Sequence, residues 1–174
     1  MKRFLRWSLF AMLVLMSGTA TARKHDPLTS EEIDQLREVA LEPDLRLKLL
    51  ADFARLRLTA IEEARAPKKS DAENPRSLHD LLEDFLAVYD ELDENVSMYE
   101  DRQSDLRKAL KTVLVADGEF HARLEGLQHN LTAAERTECD FVLTSVFEAV
   151  TTGASEHKKL LAEQEVAWKN KKKK

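Results

Sequence analysis

The chain has 174 residues, 43% of them hydrophobic and 34% charged, with 27 basic against 32 acidic side chains. That apolar fraction excludes a disordered chain, and the acidic balance excludes a general binder of nucleic acid. One cysteine among 174 residues excludes a small secreted scaffold stapled by disulfides.

Lys2, Arg3 and Arg6 precede an apolar core from Leu9 to Met16, and Ala20-Thr21-Ala22 follows. A basic start, an apolar run too short to hold a bilayer span and a small-residue cleavage site together read as an export signal. The signal peptide is expected over 1–22, with the mature chain beginning near Arg23 and residing in the periplasm or outside the cell. No cysteine follows the apolar core, so no lipid anchor is expected, and no later stretch approaches a transmembrane span. Cleavage would remove three basic residues and no acidic ones, moving the net charge from −5 to −8 over the remaining 152 residues, the size of one ordinary domain.

Residues 23–28 read as a loose leader. Thr29 and Glu32 then have capping-box spacing, with Leu28 placed to staple onto Ile33, so a first short helix is expected up to Pro43. A second helix is expected from about Asp44 to Ala66. Its two apolar stripes, one through Leu45, Leu49 and Phe53, the other through Leu47, Leu50 and Leu58, make it the central packing element. The stretch 67–76, with Pro67, Asn74 and Pro75, has almost nothing to bury and reads as a linker.

The stretch 77–129 dominates the pattern. Leu78, Leu82, Phe85, Tyr89, Leu92, Val96, Tyr99, Gln103, Leu106, Leu110, Val113, Asp117, Phe120, Leu124 and Leu127 follow alternating steps of four and three. This 3.5-residue repeat makes an apolar seam on a helix. One rod of roughly 80 Å is expected, at ~1.5 Å per residue, capped by Ser77. A hairpin broken between Tyr99 and Leu106, where Asp101, Ser104 and Asp105 offer caps, is the alternative. Thr132 and Glu135 repeat the capping box and open a last helix running toward Trp168, with Thr151-Thr152-Gly153 as a weak point. The lysine-rich tail 169–174 is expected to be disordered. The fold class is therefore all-α, an elongated antiparallel bundle of four to five helices forming one domain over 23–168. A second copy is one way to cover so long a seam, giving a homodimer.

Asp117, His121, Glu125 and His129 recur every four residues, and all four are metal-ligand types. His121, Glu125 and His129 are the candidate ligands for a divalent ion, with another helix completing the shell; a polar flank beside the seam is the plainer reading. A four-helix di-metal site would show Glu-x-x-His pairs, and there are none. Asp117 and Gln103 lie on the seam itself, where a polar side chain commonly fixes register. His157 lies on the face of the last helix as a hydrogen-bonded core histidine, and Cys139 as a small buried residue. Acidic residues cluster at Glu83, Asp84, Asp90, Glu91, Asp93, Glu94, Glu100 and Asp101, a solvated face or a surface for a basic partner. No Ser-His-Asp order, phosphate loop, paired-cysteine motif or EF-hand spacing occurs. No catalytic residue and no cofactor are assigned.

Leu28-Thr29-Ser30-Glu31-Glu32 and Leu131-Thr132-Ala133-Ala134-Glu135 resemble the Leu-Thr-x-x-Gln motif of small helical periplasmic proteins of the Spy and CpxP kind. That resemblance implies a chaperone or envelope-stress adaptor working as a dimer with a basic concave face. Here the motif's Gln is Glu in both copies, and the chain is acidic. The leading expectation is a non-enzymatic interaction or structural protein of the bacterial cell envelope with a protein partner. The chaperone-like adaptor is second and the metal binder third.

Overall fold

The computed structural model describes residues 27–66 and 76–172, so the expected signal peptide, the leader up to residue 26 and linker residues 67–75 lie outside the described residues. The described chain is helical throughout: α1 (Ser30–Glu38), α2 (Pro43–Arg65), α3 (Leu78–Asp101), α4 (Arg107–His129) and α5 (Ala133–Lys171). Three helices open on capping boxes, Thr29 with Glu32, Ser77 with Asp80 and Thr132 with Glu135, each satisfying two backbone donors that have no partner within the helix. Pro43 starts α2, where its missing N–H is no loss.

The stretch 77–129 is a hairpin and not a single rod. The helix stops at a Schellman turn: the Ser104 N–H reaches the Tyr99 carbonyl at 3.0 Å and the Gln103 N–H reaches the Glu100 carbonyl at 2.7 Å. Gln103 sits in the left-handed region at φ 57°. The side chain of Gln164 then clamps the turn from α5, accepting from the Leu106 N–H at 2.8 Å and donating to the Ser104 carbonyl at 3.1 Å. Leu106 is buried inside the turn, which is why the apolar rhythm runs through the break without slipping.

Consecutive helices α2 to α5 run antiparallel, yet α3 and α4 do not lie side by side. α2 packs against α3 and α4, and α5 also packs against α3 and α4. The hairpin therefore crosses the bundle diagonal, leaving two parallel pairs. Along α2 and α4 the ion pairs Asp44–Lys108 (2.9 Å), Arg55–Glu119 (2.7 Å) and Glu62–Arg123 (2.8 Å) advance in the same direction. Across the diagonal the ring of Phe120 meets Phe85 edge-on at 5.5 Å and Tyr89 at 6.2 Å. Leu92, Leu110 and Leu124 are wholly buried. Each such side chain contributes roughly 1.5–3 kcal/mol by leaving water, so the seam is the main source of stability, and it closes within one chain.

α1 folds back over α2. Arg57 holds Glu32 through two bonds (2.8 and 2.6 Å) and the Pro27 carbonyl at 2.6 Å. Burial opposes charge on Glu32, but the Arg57 and Thr29 bonds win and hold its carboxyl below the usual range. Arg46 donates to the Leu36 carbonyl and to Asn95, and the Tyr99 hydroxyl donates to the Ala40 carbonyl.

α5 is continuous for 39 residues, about 58 Å, and Thr151-Thr152-Gly153 does not interrupt it. It also runs through Lys171, three residues into the lysine-rich tail. The Trp168 ring lies 3.9 Å from the Arg107 guanidinium and 5.3 Å from the Lys172 ammonium, and cations at a helix C-terminus favour the macrodipole. Among the described residues no helix is long and apolar enough to cross a membrane.

Candidate functional site

Polar side chains inside an apolar bundle are expensive unless paired. Here three of them form a chain at the bundle centre. The Tyr89 hydroxyl of α3 donates to Asp117 Oδ1 of α4 at 3.0 Å, and His157 Nδ1 of α5 donates to Asp117 Oδ2 at 2.9 Å. Asp117 and His157 are each 1% exposed. The other ring nitrogen, Nε2, lies 3.3 Å from Asp93 Oδ1 of α3, a charge contact without the alignment of a hydrogen bond. Asp93 is half-exposed and lines a shallow open groove with Glu94, Ser97, Met98, Asp101 and Arg102. The chain Tyr89–Asp117–His157–Asp93 thus runs from the core to the surface.

One turn before His157, Gly153 makes the close approach possible. A Cβ there would overlap the Tyr89 hydroxyl and stand 3.1 Å from its Cε1. The glycine that looked like a weak point in α5 is the seat of the Tyr89 side chain. Charge follows from the same geometry. Burial alone would push His157 down, but the Asp117 hydrogen bond, the Asp93 contact and the two carboxylate charges outweigh it, holding the imidazole up to about 9. Burial, then Asp117, pushes the Tyr89 hydroxyl far above its ordinary range, so it stays a neutral donor. At neutral pH the phenol is neutral and the imidazole keeps its proton, facing Asp117 and Asp93. The polar chain can fix the mutual register of α3, α4 and α5, and it can hold a proton on His157.

The expected metal ligands are arranged differently. Successive steps of four along a helix rotate by about 40°, so the row through Asp117, His121, Glu125 and His129 winds from the core outward. Asp117 is buried, His121 is half-buried with its ring edge-on to Phe147 at 5.8 Å, and Glu125 and His129 are exposed. His121 Nδ1 stands 3.7 Å from Glu125 Oε2. His129 does not join them in a group with all ligand atoms within 4.8 Å of one another; among the described residues only His79, Asp80 and Glu83, in the first two turns of α3, form such a group.

The acidic cluster of α3 is partly structural. Asp84 pairs with Arg76 at 2.6 Å, Glu91 with Arg46 at 3.9 Å, and Asp93 with His157. Cys139 is buried, and burial followed by Glu138 and Glu135 pushes its thiol up. Both copies of the Leu-Thr-x-x-Glu pattern serve as capping boxes. The pairing of Asp117 with His157 is what reading the sequence missed. The signal available was that each is polar on an apolar face, and that a glycine stands one turn from the histidine.

Comparison of the chain with protein-family models, with curated proteins and with solved structures found no match in any of the three.

Proposed function

We propose that this protein is an exported, non-enzymatic helical interaction or structural protein of the bacterial cell envelope, meeting a protein partner through its outer helix faces. The observation that carries this reading is the closure of the apolar seam inside one chain, with Leu92, Leu110 and Leu124 wholly buried. What remains outside is largely polar, and on α3 it is acidic through Glu83, Asp90, Glu94, Glu100 and Asp101. The residues at 1–22 support export. Client shielding of the Spy and CpxP kind needs an exposed apolar groove. The large exposed apolar side chains here are spread over separate elements, as with Leu41, Leu56, Val115 and Phe141.

The test has two arms. A photo-crosslinking residue is introduced in cells at Glu94 on α3 and, separately, at Phe141 on α5. One adduct of fixed mass from the α3 position, absent from the other, is the expected result. An aggregation assay with a denatured client at equimolar protein should show no protection. Protection, or a smear of adducts from both positions, would replace the interaction reading with the chaperone one.

A further inference from the structure

We propose that the end of the molecule built from the last turn of α5 is a docking face for an anionic lipid bilayer, which it meets end-on. Positions 166–174 read Val-Ala-Trp-Lys-Asn-Lys-Lys-Lys-Lys, five lysines with no acid, in a chain whose net charge is −5. The helix persists through Lys171, so Lys169 and Lys171 are presented on an ordered element. Trp168 is 42% exposed and Val166 57% exposed. The Trp168 ring carries the Arg107 guanidinium 3.9 Å from its centroid and the Lys172 ammonium at 5.3 Å. This is the residue pairing of a membrane–water interface: an indole at headgroup level with cations beside it.

The charge there is surplus. The nearby acids already have partners, Asp105 with Arg107 at 2.6 Å, Asp44 with Lys108 at 2.9 Å and Glu165 with Lys111 at 3.2 Å. Among the described residues Lys169, Lys171 and Lys172 are exposed and make no ion pair with an acid. A side-on approach would bring Glu83, Asp90 and Glu94 of α3 against lipid phosphates and be repelled. Screening over about 8–10 Å lets the lysine end act on its own. The inference does not rest on the protein-partner reading.

The test uses the full chain carrying Trp7→Phe, which leaves Trp168 as the single tryptophan. Vesicles of phosphatidylcholine alone are compared with vesicles that also contain phosphatidylglycerol; near an anionic surface each lysine is worth about fivefold in partitioning. Co-sedimentation and quenching of Trp168 emission by brominated lipid are both read. Binding and quenching should appear with anionic vesicles and be lost at high salt. They should fall roughly a hundredfold in Lys169→Gln/Lys171→Gln/Lys172→Gln, while Lys48→Gln on α2 changes neither. Equal partitioning onto both vesicle types, or quenching undiminished by the triple substitution, would overturn the proposal. Trp168 protection by heparin but not by anionic vesicles would also overturn it, in favour of a soluble polyanion.

Discussion

His157 makes the stability of this protein depend on pH in a direction opposite to that of most carboxylate pairs. An ordinary histidine loses its proton near 6.5; between Asp117 and Asp93 this one holds it to about 9. Below pH 6.5 folded and unfolded chains both carry the proton, and the contribution is complete. Between 6.5 and 9 only the folded chain carries it, so stability falls as pH rises, by about 1.4 kcal/mol per pH step. Above 9 both are neutral and the contribution is gone. The window is worth about 3 kcal/mol, a large fraction of an ordinary domain's total of 5–15. The assay is urea unfolding at pH 6, 7.5 and 9.5, wild type against His157→Gln, since the titration of surface lysines cancels in the difference. That difference should shrink by about 3 kcal/mol from pH 6 to above pH 9. A difference that stays constant or grows refutes the reasoning. Should the variant fail to fold, the ring titration of His157 by NMR in the wild type decides, and a midpoint at or below 6.5 refutes it equally.

Gly153→Ala should destabilise by about 1–3 kcal/mol through overlap with the Tyr89 hydroxyl, although the same change in an unobstructed helix gains about 1; in a Tyr89→Phe background the loss should shrink toward zero, as thermal melting of the four proteins would read. Gln103→Gly should raise stability by about 0.5–1 kcal/mol, relieving the left-handed backbone, and Gln103→Val should lower it; equal stabilities would mean the turn is unstrained. Zinc should give no rise in melting temperature that depends on His121 and His129, because His129 does not converge with His121 and Glu125; stabilisation abolished by His121→Ala with His129→Ala would restore the three-ligand site.

The helices were legible where local chemistry writes itself into the chain. Thr29 with Glu32 and Thr132 with Glu135 marked helix starts to the residue, and the seam named the core. The turn after Asp101 was not legible as the leading reading. A Schellman turn usually shows a glycine, and here a glutamine takes the left-handed position. The buried Leu106 then preserves the spacing on both sides, so the apolar count cannot tell a bend from a rod. The candidate site failed for a different reason. Asp117 and His157 were each picked out as polar on an apolar face, but whether they meet depends on the diagonal crossing that sets α5 against both α3 and α4. Nothing within one helix's sequence encodes which helix will be its neighbour. The row of four possible ligands does not keep to one environment, because steps of four drift about 40° each, enough to send its two ends to opposite surroundings.

The diagonal crossing has a consequence for how the chain assembles. The segments up to residue 129 contain every part of the core except the wall that α5 supplies, and they contain a carboxylate, Asp117, with no cation to meet it. Burying Asp117 without that cation would leave an unpaired anion in the core, a penalty of about 3–5 kcal/mol. The last forty residues of the fold are therefore its keystone: until His157 arrives, the earlier pieces hold together only in a form that keeps Asp117 wet.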